Sequence, residues 1–239
     1  MTLRTIREPP MSSADHIVMT GASGAVGAQA LAALLADPRV AAVTCLGRRP
    51  LPTSHDKLRA LVVDLTDERA VAAAIPDGVD AAVCALGTTM KQAGSKAAFR
   101  AVDFDAVVAF AQAARARGAR RFALVSSMGA DASSSNFYLK TKGQAEGAVC
   151  ALGYDAVHIL RPSILDDAGA RAARRDSRPG EQLGLVVMRG LAAVIGPRHR
   201  YAPIGVDVVG RAAARLVLDD ATSGRHVHLS DALHRIGAG

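Results

Sequence analysis

The sequence predicts an α/β fold, a doubly wound parallel sheet with a small C-terminal substrate lobe. Three observations carry this. Short apolar runs alternate with helical stretches from residue 16 to residue 160. The first run feeds a turn with glycines three apart, Gly21, Gly24 and Gly27, and a helix opens there. The chain is 50% hydrophobic, yet aromatics are only 3% and Trp is absent, so small aliphatic side chains must fill the core. Alanine dominates, which favours helices packed close to a sheet.

The elements follow in order. Residues 16–19 read as the first strand and 25–35 as the first helix. Residues 42–46 and 60–63 are the second and third strands. A helix over 67–74 has Thr66 as its expected cap. Residues 80–85 are the fourth strand. A long helix runs from about 96 to 117 and stops at Gly118, a natural C-terminal glycine. Residues 122–126 are the fifth strand, 137–152 a helix ending at Gly153, and 156–160 the sixth strand. With right-handed crossovers this alternation gives a parallel sheet covered on both faces. After Pro162 the rhythm changes. Residues 166–180 are rich in Arg, Asp and Gly and read as a loop. Residues 183–195 are apolar and helical, 207–218 are a clear helix, and 226–229 are a last strand. The expected organisation is a flexible leader over 1–14 and one domain over 15–239, with 163–205 forming most of the substrate lobe.

Composition removes several function classes. A chain of 239 residues suits one large α/β domain, and its hydrophobic content excludes disorder throughout. The net charge of +7 is spread along the chain. Its densest groups, around Arg115–Arg121 and Arg171–Arg175, carry no nucleic-acid motif, and the scarcity of aromatics argues against stacking platforms for single strands. Cys45, Cys84 and Cys150 are odd in number and fit neither a disulfide framework nor a zinc site, which indicates a reducing compartment. Residues 1–14 have no apolar signal core, and no apolar run is long enough to span a membrane. The expectation is a cytoplasmic protein with no membrane insertion. His226 and His228 share one side of a strand, but with no third ligand at suitable spacing a structural role is expected and no metal.

The glycine-rich turn carries chemistry. Gly21 permits the tight turn, Gly24 lets the backbone approach a pyrophosphate, and Gly27 allows close packing of helix on strand. Ser23, Ala25 and Val26 lie in the same turn and count with the glycines as dinucleotide-binding candidates. The helix N-terminus presents unpaired N–H groups and partial positive charge to the phosphate. Strand before, helix after and further βα units behind it make the signal specific. At the end of the second strand an acidic residue would bind the ribose of NAD; here Arg48 and Arg49 stand instead, suited to the 2′-phosphate of NADP. Asp64 and Leu65, after the third strand, are expected beside the adenine.

An acid–base set follows the fifth strand. Tyr138 and Lys142 are four apart and share one face of a helix. Lys142 can stabilise a Tyr138 phenolate and hydrogen-bond the nicotinamide ribose. Tyr138 can then exchange a proton with a carbonyl or hydroxyl, and Ser127 would hold the substrate oxygen.

With these residues in view, the chain resembles the short-chain dehydrogenase/reductase superfamily in its atypical branch, most closely the Tat-interacting oxidoreductase-like proteins. The resemblance rests on Gly21 to Gly27, Gly47-Arg48-Arg49, Leu86-Gly87-Thr88-Thr89 with Ala93-Gly94, Val102-Asp103, and Ser126-Ser127 with Gly129-Ala130-Asp131. It continues through Ser134 to Tyr138, Lys142-Gly143, Arg161-Pro162 and Arg178 to Glu181. It implies an NADPH-binding Rossmann domain in which Leu86, Gly87 and Thr88 lie along the cofactor and Pro162 and Ser163 lie near the nicotinamide. Dimerisation through the long helices is common in that superfamily. The expected function is an NADP(H)-dependent oxidoreductase acting on a small carbonyl or alcohol. A regulator that binds NADPH and acts through a protein partner, with little or no catalysis, is the alternative. An epimerase that keeps its cofactor bound is a third reading. A serine hydrolase is not expected, because Ser23 sits inside the phosphate turn. Asp103 and Asp105 are expected to be solvated on the long helix.

Overall fold

A computed structural model describes residues 15–166 and 199–238. The first half alternates strand and helix. β1 (Asp15–Thr20) leads to α1 (Ala25–Ala36), β2 (Val40–Gly47), β3 (Leu58–Val62), α2 (Glu68–Ala74) and β4 (Ala81–Cys84). Two short helices follow, α3 (Met90–Ala93) and α4 (Lys96–Arg100), then a π-helical turn (Ala101–Asp105) that runs into α5 (Ala106–Ala116). The second half has β5 (Arg121–Val125), α6 (Phe137–Cys150), β6 (Ala156–Arg161), β7 (Leu165–Asp166), β8 (Ile204–Gly205), α7 (Val206–Val217), β9 (Gly224–Leu229) and α8 (Ser230–Gly237).

The main sheet is seven-stranded in the order β3-β2-β1-β4-β5-β6-β9, and every pairing is parallel. A parallel sheet needs cover on both faces, and the sequence supplies it with near-continuous apolar strands: β1, β4 and β5 end in runs of buried residues. On one face Ile17, Val43, Val83 and Leu160 pack with Leu31 and Leu34 of α1, Val209 and Ala213 of α7, and Leu233 of α8. On the other, Val18, Leu46, Leu124 and Ile159 pack with Val71 of α2, Phe110 of α5 and Val149 of α6. Three aromatics meet here, Phe110, Phe122 and Tyr154, in sequence at centroid distances of 6.1 and 5.0 Å. Small residues let helices approach closely. A Cβ on Gly210 of α7 would lie 2.5 Å from Gln29 Cβ and 2.7 Å from the Ala30 amide nitrogen on α1.

Three local expectations are corrected. The cap of α2 is Asp67, whose carboxylate accepts from the amides of Arg69 and Ala70. Thr66 instead donates to Asp64, because its hydroxyl sits one residue too early to reach the first free amides. The long helix over 96–117 is interrupted by the π turn, and Asp103 within it is fully buried, not solvated. The segments α3, α8 and the two-residue β7–β8 pairing were not legible as elements. The leader, the helix expected at 183–195 and most of the substrate lobe fall outside the described residues.

Candidate functional site

The chain runs outward from β1 to β2 and β3, then returns to the other side of β1 as β4. Strand ends diverge at such a reversal, leaving a crevice at the carboxyl edge of the sheet. A cleft of about 500 Å³ opens there. Its walls include Gly21, Ser23 and Gly24 from the first turn, Arg48 and Arg49 after β2, Leu65 after β3, and Leu86, Gly87 and Thr88 after β4. The strand ends are tied together: the Thr20 hydroxyl donates to the Leu46 carbonyl at 3.0 Å, and the Ala85 amide to the Thr20 carbonyl at 3.0 Å.

The three glycines do different work. Gly21 has φ +84°, and a Cβ there would lie 2.4 Å from the Ala85 carbonyl carbon. A Cβ on Gly27 would fall 2.1 Å from the Gly21 carbonyl oxygen, so α1 packs directly on the turn. Gly24 has an ordinary φ of −83°, and a Cβ there would meet only the Gly21 oxygen, at 3.3 Å. The fold itself thus requires glycine at 21 and 27, whereas Gly24 keeps the cleft wall free of a side chain. Gly24 offers no side-chain cap, and the amides of Ala25, Val26 and Gly27 have no partner within α1. The turn is therefore a bare helix N-terminus facing a cavity, a cradle that suits a pyrophosphate.

Arg48 and Arg49 are exposed and form no ion pair within 4 Å among the described residues. Asp64 does not line the cleft. The Thr66 hydroxyl and amide donate to its carboxylate and hold its pKa below the ordinary value, with Arg48 adding to the effect. Cys45 lies in the cleft wall and Cys84 is buried behind it; burial pushes both thiols up to about 12, so neither is a thiolate at neutral pH.

On the other side of the switch point, α6 begins at Asn136, whose side chain caps the Leu139 amide. Tyr138 is half-buried with its ring 5.4 Å from that of Phe99. Lys142, one turn further on, is buried, and its Nζ lies 2.8 Å from Asp103 Oδ1. The other oxygen of Asp103 accepts from the Thr88 amide at 2.9 Å. A Cβ on Gly87 would stand 3.5 Å from Lys142 Nζ, so the ammonium group sits directly against the cleft wall. Asp103 thus joins the lysine of α6 to the loop after β4. The spacing held a signal for it: Phe99, Asp103, Ala106, Val107 and Phe110 recur at helical intervals, which puts an acid inside an apolar stripe.

Ser127 is half-buried, and among the described residues its hydroxyl reaches only the Met128 carbonyl, at 3.4 Å. Among the described residues no hydrogen bond joins Ser127, Tyr138 and Lys142 to one another. The Pro162 carbonyl accepts from the Met128 amide at 3.0 Å, linking the chain after β6 to the chain after β5. Ser163 points elsewhere: its amide donates to Ser230 Oγ at 2.9 Å and its hydroxyl to the Ala202 carbonyl. Away from the cleft, His226 and His228 have a neighbour that spacing did not reveal. His158 on β6 stacks with both, at 5.4 Å, and shares a hydrogen bond with His228. No group of residues suited to a metal occurs among the described residues.

Glycine turn, switch-point cleft and parallel order together define a Rossmann-type fold with a dinucleotide-sized cleft at its switch point. Solved structures share the fold. A short-chain dehydrogenase/reductase superfamily protein from Agrobacterium tumefaciens with bound NAD superposes with a TM-score of 0.67 at 20% identity, over 92% of this chain and 81% of that one. MoeE5 in complex with UDP-glucose and NAD gives 0.63 at 18% identity, over 90% and 76%. The model of an NAD(P)H-binding family matches residues 21–194, and the chain belongs to that family. Protein HTATIP2 of Rattus norvegicus is 37% identical over 185 residues, 76% of this chain and 74% of the relative. Protein fmp52, mitochondrial, of Aspergillus niger is 33% identical over 207 residues, 83% and 85%.

Proposed function

We propose that this chain is an NADP(H)-dependent oxidoreductase that interconverts a small carbonyl compound and its alcohol. The observation that carries the reading is the position of the Lys142 ammonium, against Gly87 in the cleft wall and one helical turn from Tyr138. In this reading the turn from Gly21 to Gly27, including Ser23, Gly24, Ala25 and Val26, holds the pyrophosphate through backbone N–H groups. Arg48 and Arg49 take the 2′-phosphate, which two exposed guanidinium groups with no ion pair among the described residues suit. Leu65 serves the adenine side, whereas Asp64 holds Thr66 and stands outside the cleft lining. Leu86, Gly87 and Thr88 run along the cofactor, Pro162 lies toward the nicotinamide, and Lys142 holds the ribose. When bound there, NADPH would supply the hydride for the carbonyl carbon. The Tyr138 hydroxyl gives its proton to the carbonyl oxygen, Lys142 stabilises the phenolate left behind, and the Ser127 hydroxyl donates a hydrogen bond that orients that oxygen. The reverse direction returns the proton to Tyr138.

The test is Tyr138→Phe. Turnover should fall to background while NADPH affinity stays within about twofold, because the ring remains and only the hydroxyl is lost. Turnover that survives refutes the mechanism.

A second reading, an NADPH-binding regulator with little catalysis, is favoured by one observation. The Lys142 charge is offset by Asp103 at 2.8 Å. A wild-type chain that binds NADPH but reduces no member of a panel of aldehydes and ketones would support it. Three free cysteines fit a cytoplasmic setting. The fungal relatives are named mitochondrial, so fractionation of the cell decides the compartment. Sedimentation tests the homodimer.

A further inference from the structure

Glu146 is an acid that the proposed chemistry does not use, and it is buried to 1% exposure. It lies one turn beyond Lys142 and two beyond Tyr138 on the same face of α6. One carboxylate oxygen accepts from the Ser126 hydroxyl at 2.5 Å and from Arg161 Nε at 3.0 Å. The other accepts from Arg161 Nη2 at 2.5 Å, and Arg225 on β9 stands 3.8 Å away. Ser126 is the residue before Ser127, and Arg161 the residue before Pro162. The Ser126 amide also donates to the Leu160 carbonyl at 2.7 Å, so the ends of β5 and β6 move together. One buried carboxylate therefore fastens the helix of Tyr138 and Lys142 to the strand ends that carry Ser127, Pro162 and Ser163. The glycine turn and the two arginines belong to β1 and β2, on the far side of β4, and Glu146 contacts neither.

We propose that Glu146 is a positioning residue for the nicotinamide half of the cofactor alone, setting the spacing between α6 and the ends of β5 and β6. The inference rests on the oxidoreductase reading above. Glu146→Gln keeps the shape but turns an amide N–H toward Arg161, so the fork is lost and the helix is freed from the strand ends. The adenine half should not notice.

The experiment measures affinity for 2′,5′-ADP, which carries only the adenine half, and for NADPH, together with the fluorescence of the bound reduced nicotinamide. In Glu146→Gln, 2′,5′-ADP should bind within twofold of wild type. NADPH should weaken by roughly tenfold, the effect of losing one or two charge-assisted contacts, and the fluorescence enhancement should fall. Ser126→Ala removes a single hydrogen bond and should shift NADPH in the same direction by about threefold; it carries the test if the glutamine variant does not fold. Unchanged NADPH affinity and fluorescence overturn the proposal. Equal weakening of both ligands overturns it too, since it marks a general structural role. A wild-type chain that binds neither ligand overturns the cofactor reading and this inference with it, and is recognised before any variant is made.

Discussion

Replacing Asp103 by Asn removes one negative charge from a site where both partners are buried. The side chains of Lys142 and Asp103 are 7% and 0% exposed, and their charged atoms are 2.8 Å apart. The amide of Asn keeps a carbonyl oxygen for the Thr88 N–H, so that hydrogen bond is retained and the change isolates the charge. An ammonium group left buried without its partner costs about 3–5 kcal/mol. Lys142→Met leaves the carboxylate stranded and should cost a similar amount. The double variant Asp103→Asn, Lys142→Met has no buried charge at all, and replacing a buried pair by neutral groups of similar volume is close to neutral. Urea denaturation followed by far-UV circular dichroism suits a chain without Trp. Each single variant should lower the midpoint strongly at unchanged slope, and the double variant should recover most of the loss. A single variant that costs under about 1 kcal/mol, or a double variant equal to the sum of the singles, would show that the pair is not coupled as argued.

The glycine turn separates folding from binding. Gly27→Ala should destabilise the protein strongly, because its Cβ would overlap the Gly21 oxygen at 2.1 Å; Gly24→Ala, whose Cβ would press on the same oxygen at 3.3 Å, should lower the melting temperature far less yet weaken NADPH by at least tenfold. Equal effects from both variants would contradict the division. Stability should also fall in acid through His158. Burial, then His228 and His226, press its pKa down to about 4, against a partial opposing effect of Asp219. The unfolded chain therefore binds the extra proton first: the contribution is complete above pH 6.5, the ordinary value, and is lost as pH falls toward 4. Its limit is on the order of 3 kcal/mol. Melting curves of wild type and His158→Gln between pH 7.5 and 5 check this, and identical slopes would dismiss it.

The parts of this molecule that sequence reading recovers are those set by local rules. Strands β1 and β4 are apolar runs bounded by turn residues, and α1 opens on a glycine pattern whose physical reasons are local. What escaped it depends on partners distant in the chain. Nothing near Asp103 says that Lys142, thirty-nine residues later, will meet it. Periodicity alone makes residues 96–117 one helix, and nothing in it marks the π turn at Ala101–Asp105. Glu146 hid in the same manner, in the stripe Lys142, Ala145, Glu146, Val149, where two charges disguise a buried face. His158 looked like one more residue of an apolar strand until β9 brought His226 and His228 alongside. In each case a charged or polar residue standing within an apolar helical or strand stripe was the available signal.

Calorimetric titration of the wild-type chain with NADPH and with NADH asks whether the glycine-lined cleft holds a dinucleotide and which one it prefers. Saturable NADPH binding at least tenfold tighter than NADH is expected, a preference that Arg48→Ala with Arg49→Ala abolishes. Equal affinity for the two cofactors would remove the role given to the arginines, and failure to bind either would contradict the assignment of the glycine-lined cleft as a dinucleotide site.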